Sequence, residues 1–258
     1  MRLMKRILSA AAVLALSASL LVGCSSGTAS SVPVSASSAA ESTVSSVEET
    51  ASSAVDENEA AAAQLLNDLT GSYQELWPVI LADEYKQTWL DDCTALVGED
   101  NAEAAFEKLS SMVTGDVYGE DAVKAYANGG GAYFCGFTNS LAILTFDGET
   151  STISGTDKDG NVLFSHAYHY IGMEPVRGLY EFESDDADSG EFTYFFLAPD
   201  TSAETYHIEF RYGSDAEALS QYDAGEYAYW VASGISTDCD QTMIDNCIEL
   251  FCTENLAG

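Results

Sequence analysis

His207 and Glu209 are the residues whose types and spacing point most directly to chemistry. They lie two positions apart in the segment Tyr206–Tyr212, whose alternation of residues predicts a β-strand. Side chains at positions i and i+2 of a strand point to the same side, so the imidazole and the carboxylate face one direction. Zinc favours these ligands in tetrahedral sites. The pair is therefore a candidate for two ligands of a divalent-metal site, and zinc is an acceptable metal for them.

Two further side chains are candidates to complete this site. Glu204 lies just before the strand, and His169 comes from the neighbouring strand-like segment that also holds His166. The spacing of those two histidines points them to opposite faces, so at most one faces inward. A set of His207, Glu209 and His169, with help from Glu204, is acceptable chemistry for zinc. The other interpretation stays open: His207 is a hydrogen-bonded barrel residue, and the other histidines lie on the surface.

Catalysis finds little support in the sequence. There is no Gly-x-Ser-x-Gly elbow, no phosphate-binding loop and no His-Glu-x-x-His motif. The acidic pair Asp185-Asp186 falls in a turn-rich segment, where carboxylates are usually solvated surface groups. We therefore expect a binding protein rather than an enzyme.

The charge of the chain limits its partners. The sequence has 9 basic and 42 acidic residues. Three of the basic ones, Arg2, Lys5 and Arg6, lie in the targeting segment described next, which leaves six for the mature chain. Repulsion from phosphates excludes nucleic acid as a partner. An acidic surface raises the local concentration of divalent cations, although it also serves solubility alone.

The N-terminus predicts export and lipid anchoring. After the basic residues comes an apolar stretch that ends in Leu21-Val22-Gly23-Cys24, which resembles the lipobox of bacterial lipoproteins. We expect residues 1–24 to be a lipoprotein signal peptide with its lipobox cysteine, and lipid on Cys24 to hold the protein at the bacterial cell membrane, outside the cytoplasm. Residues 25–63 have the Ser, Ala and Glu composition of a disordered stalk. Residues 64–258 are long enough for one domain.

Five cysteines besides Cys24 lie in that domain, with no zinc-ribbon spacing among them. Their odd number leaves at least one thiol outside any intrachain disulfide, and their pairing cannot be read from the sequence. They are Cys93, Cys135, Cys239, Cys247 and Cys252.

The pattern of apolar residues predicts helices, then strands, then a helix. Residues 64–127 are mostly helical in periodicity, with Pro78 in a first turn and Asn101 as a cap, and the C-terminal stripe predicts a helix capped by Thr237 or Asp238. The seven short strands between them favour an antiparallel barrel or sandwich. Their ranges are Ala132–Phe137, Ala142–Phe146, Thr150–Thr156, Val162–Tyr170, Gly178–Glu183, Phe192–Leu197 and Tyr206–Tyr212.

Several motifs in this order resemble the ZinT (YodA-like) family of extracytoplasmic zinc-recruitment proteins. They are Asp68-Leu69-Thr70-Gly71-Ser72-Tyr73 with Trp77-Pro78, the turn Thr156–Gly160, and Val176-Arg177 with Leu179–Glu183. The resemblance implies a mainly β fold, a lipocalin-like (calycin) antiparallel β-barrel with N-terminal helices and a C-terminal helix. It also implies zinc capture, with ions handed to a metal-uptake transporter.

The family pattern also places metal-binding histidines inside the barrel, as a His-x-His pair and one from a preceding turn. Thr205 and Phe195 stand at two of those positions here, and His207 keeps the third. A different class of function is a metal-independent barrel module that holds a small organic or peptide ligand. Its candidate lining residues are Tyr194, Phe196, Tyr206 and Phe210, or their neighbours on the opposite face of each strand. A third class, an interaction domain on a stalk, needs no pocket.

Overall fold

Eight antiparallel strands close into a barrel in the structure, a computed structural model that describes residues 57–127, 131–198 and 207–257. Each strand pairs with the next along the chain, and β1 also pairs with β8, with Tyr73 opposite Ser236. This confirms the predicted antiparallel barrel, of the up-and-down kind to which lipocalins belong. The strands are β1 (Gly71–Glu75), β2 (Ile143–Asp147), β3 (Thr152–Thr156), β4 (Val162–Met173), β5 (Tyr180–Ser184), β6 (Tyr194–Leu197), β7 (His207–Gly213) and β8 (Ala232–Ser236).

Helices precede the barrel, fill one long connection and follow the last strand, which confirms the predicted N- and C-terminal helices. Four of them lie between β1 and β2, one joins β7 to β8, and the last follows β8. None of the described helices is long and apolar enough to cross a membrane. They are α1 (described over 57–68), α2 (Leu76–Ile80), α3 (Lys86–Val97), α4 (Glu99–Val113), α5 (Glu120–Tyr126), α6 (Ala216–Leu219) and α7 (Gln241–Leu256), with 3₁₀ turns at Asp83–Tyr85 and Gly190–Phe192.

Aromatic side chains fill the barrel interior. Phe195, Phe210 and Tyr212 are fully buried, and the rings of Phe195 and Tyr212 stack with centroids 5.3 Å apart. The ring of Trp230 meets Tyr212 edge-on at 4.9 Å. The polar groups of these rings form hydrogen bonds. The Tyr212 hydroxyl donates to the Thr138 carbonyl at 2.9 Å, and the Trp230 indole N–H donates to a backbone carbonyl. The interior is therefore a packed core.

Helix α1 packs into the same core through its apolar face. Ala62 is fully buried, Leu66 is nearly so, and both belong to the cluster of barrel residues. The backbone of Asn67 lies so close to the turn after β2 that a β-carbon at Gly148 would come within 2.4 Å of it. Residues 57–63, which we predicted as the end of the stalk, are thus part of helix α1 and of the folded unit. The rest of the predicted stalk and the signal peptide lie outside the described residues.

Helices α2, α3, α4 and α7 form a second core against the outer face of the barrel. Trp77 of α2, Trp89 of α3 and Ile248 of α7 pack there with Ile235 of β8. Because β8 contacts the barrel interior on one face and this helical layer on the other, all five of its residues are buried.

The predicted strands need three corrections. The structure adds β1 and β8 to the predicted set, and Ala132–Phe137 is not a ladder strand, since only Phe134 forms isolated bridges. β1 is short and polar, so it lacks the apolar alternation that identifies a strand. β8 lacks alternation for the opposite reason, because both of its faces are buried.

Two predicted helix caps also lie elsewhere. Helix α4 begins at Glu99 after Gly98, and Asn101 lies within its first turn, where its amide donates to the Val97 carbonyl. Helix α7 is capped by Asp240, whose carboxylate accepts from the Met243 amide at 3.0 Å. Pro78 lies within the short helix α2, as predicted.

We expect Phe210→Ala to lower the free energy of unfolding by about 3–5 kcal/mol, because it opens a cavity in the packed interior. Urea unfolding of the full chain measures this loss. Val162→Ala is the matched control, because that apolar side chain of β4 is 70% exposed and its removal changes little. A loss below about 1 kcal/mol for Phe210→Ala would mean that the interior is loosely packed.

Candidate functional site

The first residues of β7 place His207 and Glu209 on the outer face of the barrel. The intervening Ile208 is buried in the barrel core, as are Phe210 and Tyr212, so the alternate positions point outward. His207 lies opposite Ile235, and that residue belongs to the helical layer. The imidazole and the carboxylate share one half-buried face, as predicted, but this face is turned to the helices and not to the barrel interior.

Two buried thiols lie near Glu209. Burial is the main cause that raises the pKa of Cys135 and that of Cys247 to about 12, and the negative charge of Glu209 contributes to both shifts. Ser233 lies opposite Glu209 across the ladder, and its hydroxyl pulls the pKa of Cys135 the other way. No sequence pattern predicts this arrangement, because Cys135 and Cys247 lie in segments far from β7 along the chain.

The structure keeps His169 away from His207. His169 lies on β4, three strands from β7 in the barrel order, on an exposed outer face where its Nδ1 lies 2.7 Å from an Asp185 carboxylate oxygen. Its neighbour His166 is the histidine that faces inward, between the rings of Phe164 and Tyr168. The prediction that His166 and His169 point to opposite faces is confirmed, but the histidine that faces inward is His166 and not the predicted ligand His169.

No group of three or more His, Cys, Asp or Glu side chains that could hold a metal occurs among the described residues. His207, Glu209 and His169 are therefore not assembled into one ligand set. Glu204, the fourth predicted ligand, and Thr205 lie outside the described residues. What the structure provides is the His207–Glu209 pair, at the point where the undescribed segment 199–206 joins β7.

The residues predicted to line a ligand pocket do not line a common cavity. Phe210 points into the packed interior, Phe196 is fully buried, and Tyr194 donates a hydrogen bond to the Glu183 carboxylate at 3.1 Å. Tyr206 lies outside the described residues. Two open clefts of about 350 and 420 Å³ lie beside the helices instead, and both are lined by Thr114 and Gly115.

The sequence analysis also missed the buried cation Arg211, which lies on β7. Its guanidinium donates to the backbone carbonyls of Leu219, Gln221 and Tyr227 and lies over the ring of Tyr222, 4.4 Å from the centroid. Within the described residues it has no carboxylate at ion-pair distance. Arg211 thus ties the connection from β7 to β8 onto the barrel wall.

A second guanidinium lies over the Tyr222 ring. That of Arg177 lies 4.0 Å from the ring centroid and donates to the Tyr133 hydroxyl at 3.4 Å. Burial raises the pKa of Tyr222 to about 12, and Glu174 adds to that shift. Two of the nine Lys and Arg residues of the chain therefore share one tyrosine.

We expect Arg211→Leu to lower the free energy of unfolding by roughly 3 kcal/mol, because it leaves buried carbonyls without their charged donor. Urea unfolding measures the loss, and amide exchange should quicken in residues 214–231. Lys158→Leu removes an exposed cation and should change stability by less than about 0.5 kcal/mol. Equal effects of the two substitutions would contradict this role of Arg211.

Comparison with known proteins gives a small number of similar folds. No protein-family model and no curated protein matches the chain. The zinc-bound ZinT-like domain of AdcA from Streptococcus pneumoniae is similar with a TM-score of 0.45 and 15% identity, over 71% of this chain and 89% of that one. Zinc-bound AdcA from the same organism is similar with a TM-score of 0.42 and 14% identity, over 72% of this chain and 35% of that one.

Proposed function

We propose that this chain is an extracytoplasmic protein that binds a divalent metal ion, with zinc as the metal. The observation that carries the proposal is the pair of His207 and Glu209 on one half-buried face of β7. A strand holds their two ligand atoms side by side, and a partly buried site strengthens their attraction for a cation.

The third ligand in this proposal is Glu204. It belongs to the segment that leads directly into His207, so the chain needs only a turn of a few residues to bring its carboxylate to the pair. Water completes a tetrahedral shell around zinc, as it does at sites with three protein ligands. His169 has no part in this site, because it lies three strands away.

The charge of the protein assists capture. With 42 acidic residues in the chain, the surface attracts divalent cations before they reach specific ligands. Delivery of the ion to a metal-uptake transporter would follow from such a role at the cell surface. Delivery to a transporter is an extension of the proposal, and the proposal itself requires only metal binding.

Calorimetric titration of zinc into the full chain tests the metal site. We expect saturable binding with a dissociation constant below about 10 μM, which corresponds to roughly −7 kcal/mol. His207→Ala should weaken it at least tenfold, because it removes a ligand of the pair. The Cys24→Ser form, stripped of metal and in salt of about 0.15 M, avoids the lipid and screens diffuse binding to the acidic surface.

His169→Ala is the matched control for this titration. It removes an imidazole from another strand of the same barrel, and we expect the dissociation constant to change by less than about twofold, well under 1.4 kcal/mol. Urea unfolding establishes that both variants fold. The proposal fails if binding is not saturable, if His207→Ala binds as the parent does, or if both histidine substitutions weaken binding equally.

We propose that lipid on Cys24 holds the protein at the membrane. The support is the lipobox-like sequence that ends at this cysteine. The protein is expressed in a bacterium with residues 1–23 retained, and the cells are extracted with a detergent that separates into two phases. The protein should partition into the detergent phase, and Cys24→Ser should move it to the aqueous phase. Ser25→Ala, one position later, should leave it in the detergent phase. Detergent partitioning that survives Cys24→Ser would refute lipidation at this residue.

A further inference from the structure

Two cysteines from opposite ends of the domain meet in the helical layer. Cys93 of α3 and Cys252 of α7 are 159 positions apart, yet their Sγ atoms lie 3.9 Å from each other. Neither side chain is exposed to solvent. No other contact between two thiols occurs among the hydrogen bonds of the described residues.

Aromatic contacts hold the two helices at this position. Trp89 lies one turn before Cys93 on α3, and Phe251 directly precedes Cys252 on α7. Their rings meet edge-on with centroids 6.0 Å apart. The Trp89 indole also donates to the Ile80 carbonyl at 2.7 Å, which fixes the ring on the α2 side. The two thiols are therefore neighbours because the packing of α3 on α7 requires it.

We propose that Cys93 and Cys252 form a disulfide that links α3 to α7 when the chain folds under oxidising conditions. Bond formation brings the sulfurs from 3.9 Å to the disulfide length of about 2.05 Å, a change that rotation about the side-chain bonds supplies. This inference goes beyond metal binding and does not depend on it, because neither cysteine is a ligand in the proposed site.

The reaction requires an external disulfide as oxidant, such as oxidised glutathione. The thiolate of one cysteine attacks a sulfur of that disulfide, forms a mixed disulfide and releases one glutathione thiol. The thiolate of the second cysteine then attacks the protein sulfur and releases the other glutathione. The protein loses two hydrogen atoms, and one glutathione disulfide becomes two glutathione thiols.

The folded state restricts when this exchange occurs. Burial raises the pKa of Cys93 and that of Cys252, so both stay protonated in the folded domain, and the oxidant has no path to them. Exchange therefore proceeds before α7 docks or while it is undocked, which is feasible because α7 is the last described element of the chain. After docking, the bond is equally shielded from reductants.

Thiol mapping of the full chain with Cys24→Ser tests the proposal. The protein, which then has five cysteines, is unfolded, refolded in a glutathione redox buffer and blocked with N-ethylmaleimide in denaturant. Digestion at glutamate and mass spectrometry should show one cross-linked peptide pair that holds Cys93 and Cys252. The melting temperature should exceed that of the reduced protein by roughly 10 °C, because the bond closes a very long loop.

Cys247→Ala is the matched control, since it removes another buried thiol of α7 and should keep both the cross-link and the rise in melting temperature. Cys252→Ala should abolish both. If Cys252→Ala does not fold, the peptide map of the parent decides alone. Alkylation of all five cysteines, a cross-link between another pair such as Cys239 and Cys247, or mixed disulfides with glutathione alone would overturn the proposal.

Discussion

The pairing of β1 with β8 is the constraint on which the rest of the structure depends. β1 has five residues, and it completes the barrel by bonding to β2 on one side and β8 on the other. Closure leaves no strand edge open, so every strand finds two partners. Because α2 follows β1 without a break, the helical excursion starts beside β8 and must pack against its outer face. Both faces of β8 are buried as a result.

This arrangement assigns different roles to the two faces of β7. Its inward residues belong to a packed aromatic core, and its outward residues His207, Glu209 and Arg211 carry the polar chemistry. Arg211 is stabilised by carbonyl dipoles and an aromatic ring, although the chain has 42 acidic residues. Many of the acids are exposed, and an acidic surface draws cations toward the protein.

The sequence predicted the class of fold and part of the site, and the physical reasons for its failures differ. Alternation identifies strands with one polar face, so it found β7 and missed β8, whose faces are both buried. Alternation also showed that His207 and Glu209 share a side. It could not show which side, because that depends on the strand register, which here places Ile235 of the helical layer opposite His207. The neighbours of Glu209 come from distant segments, and no local pattern predicts such a meeting.

The closure of the barrel also determines the order in which the chain can fold. Tyr73 finds its partner Ser236 only near the end of the sequence, so a chain that emerges from its N-terminus cannot complete the barrel until almost all of it is available. Contacts of such high sequence separation slow folding, because a long loop must close before they form. Until β8 arrives, both edges of the sheet stay exposed, and the many negative charges of the chain oppose its association with other copies.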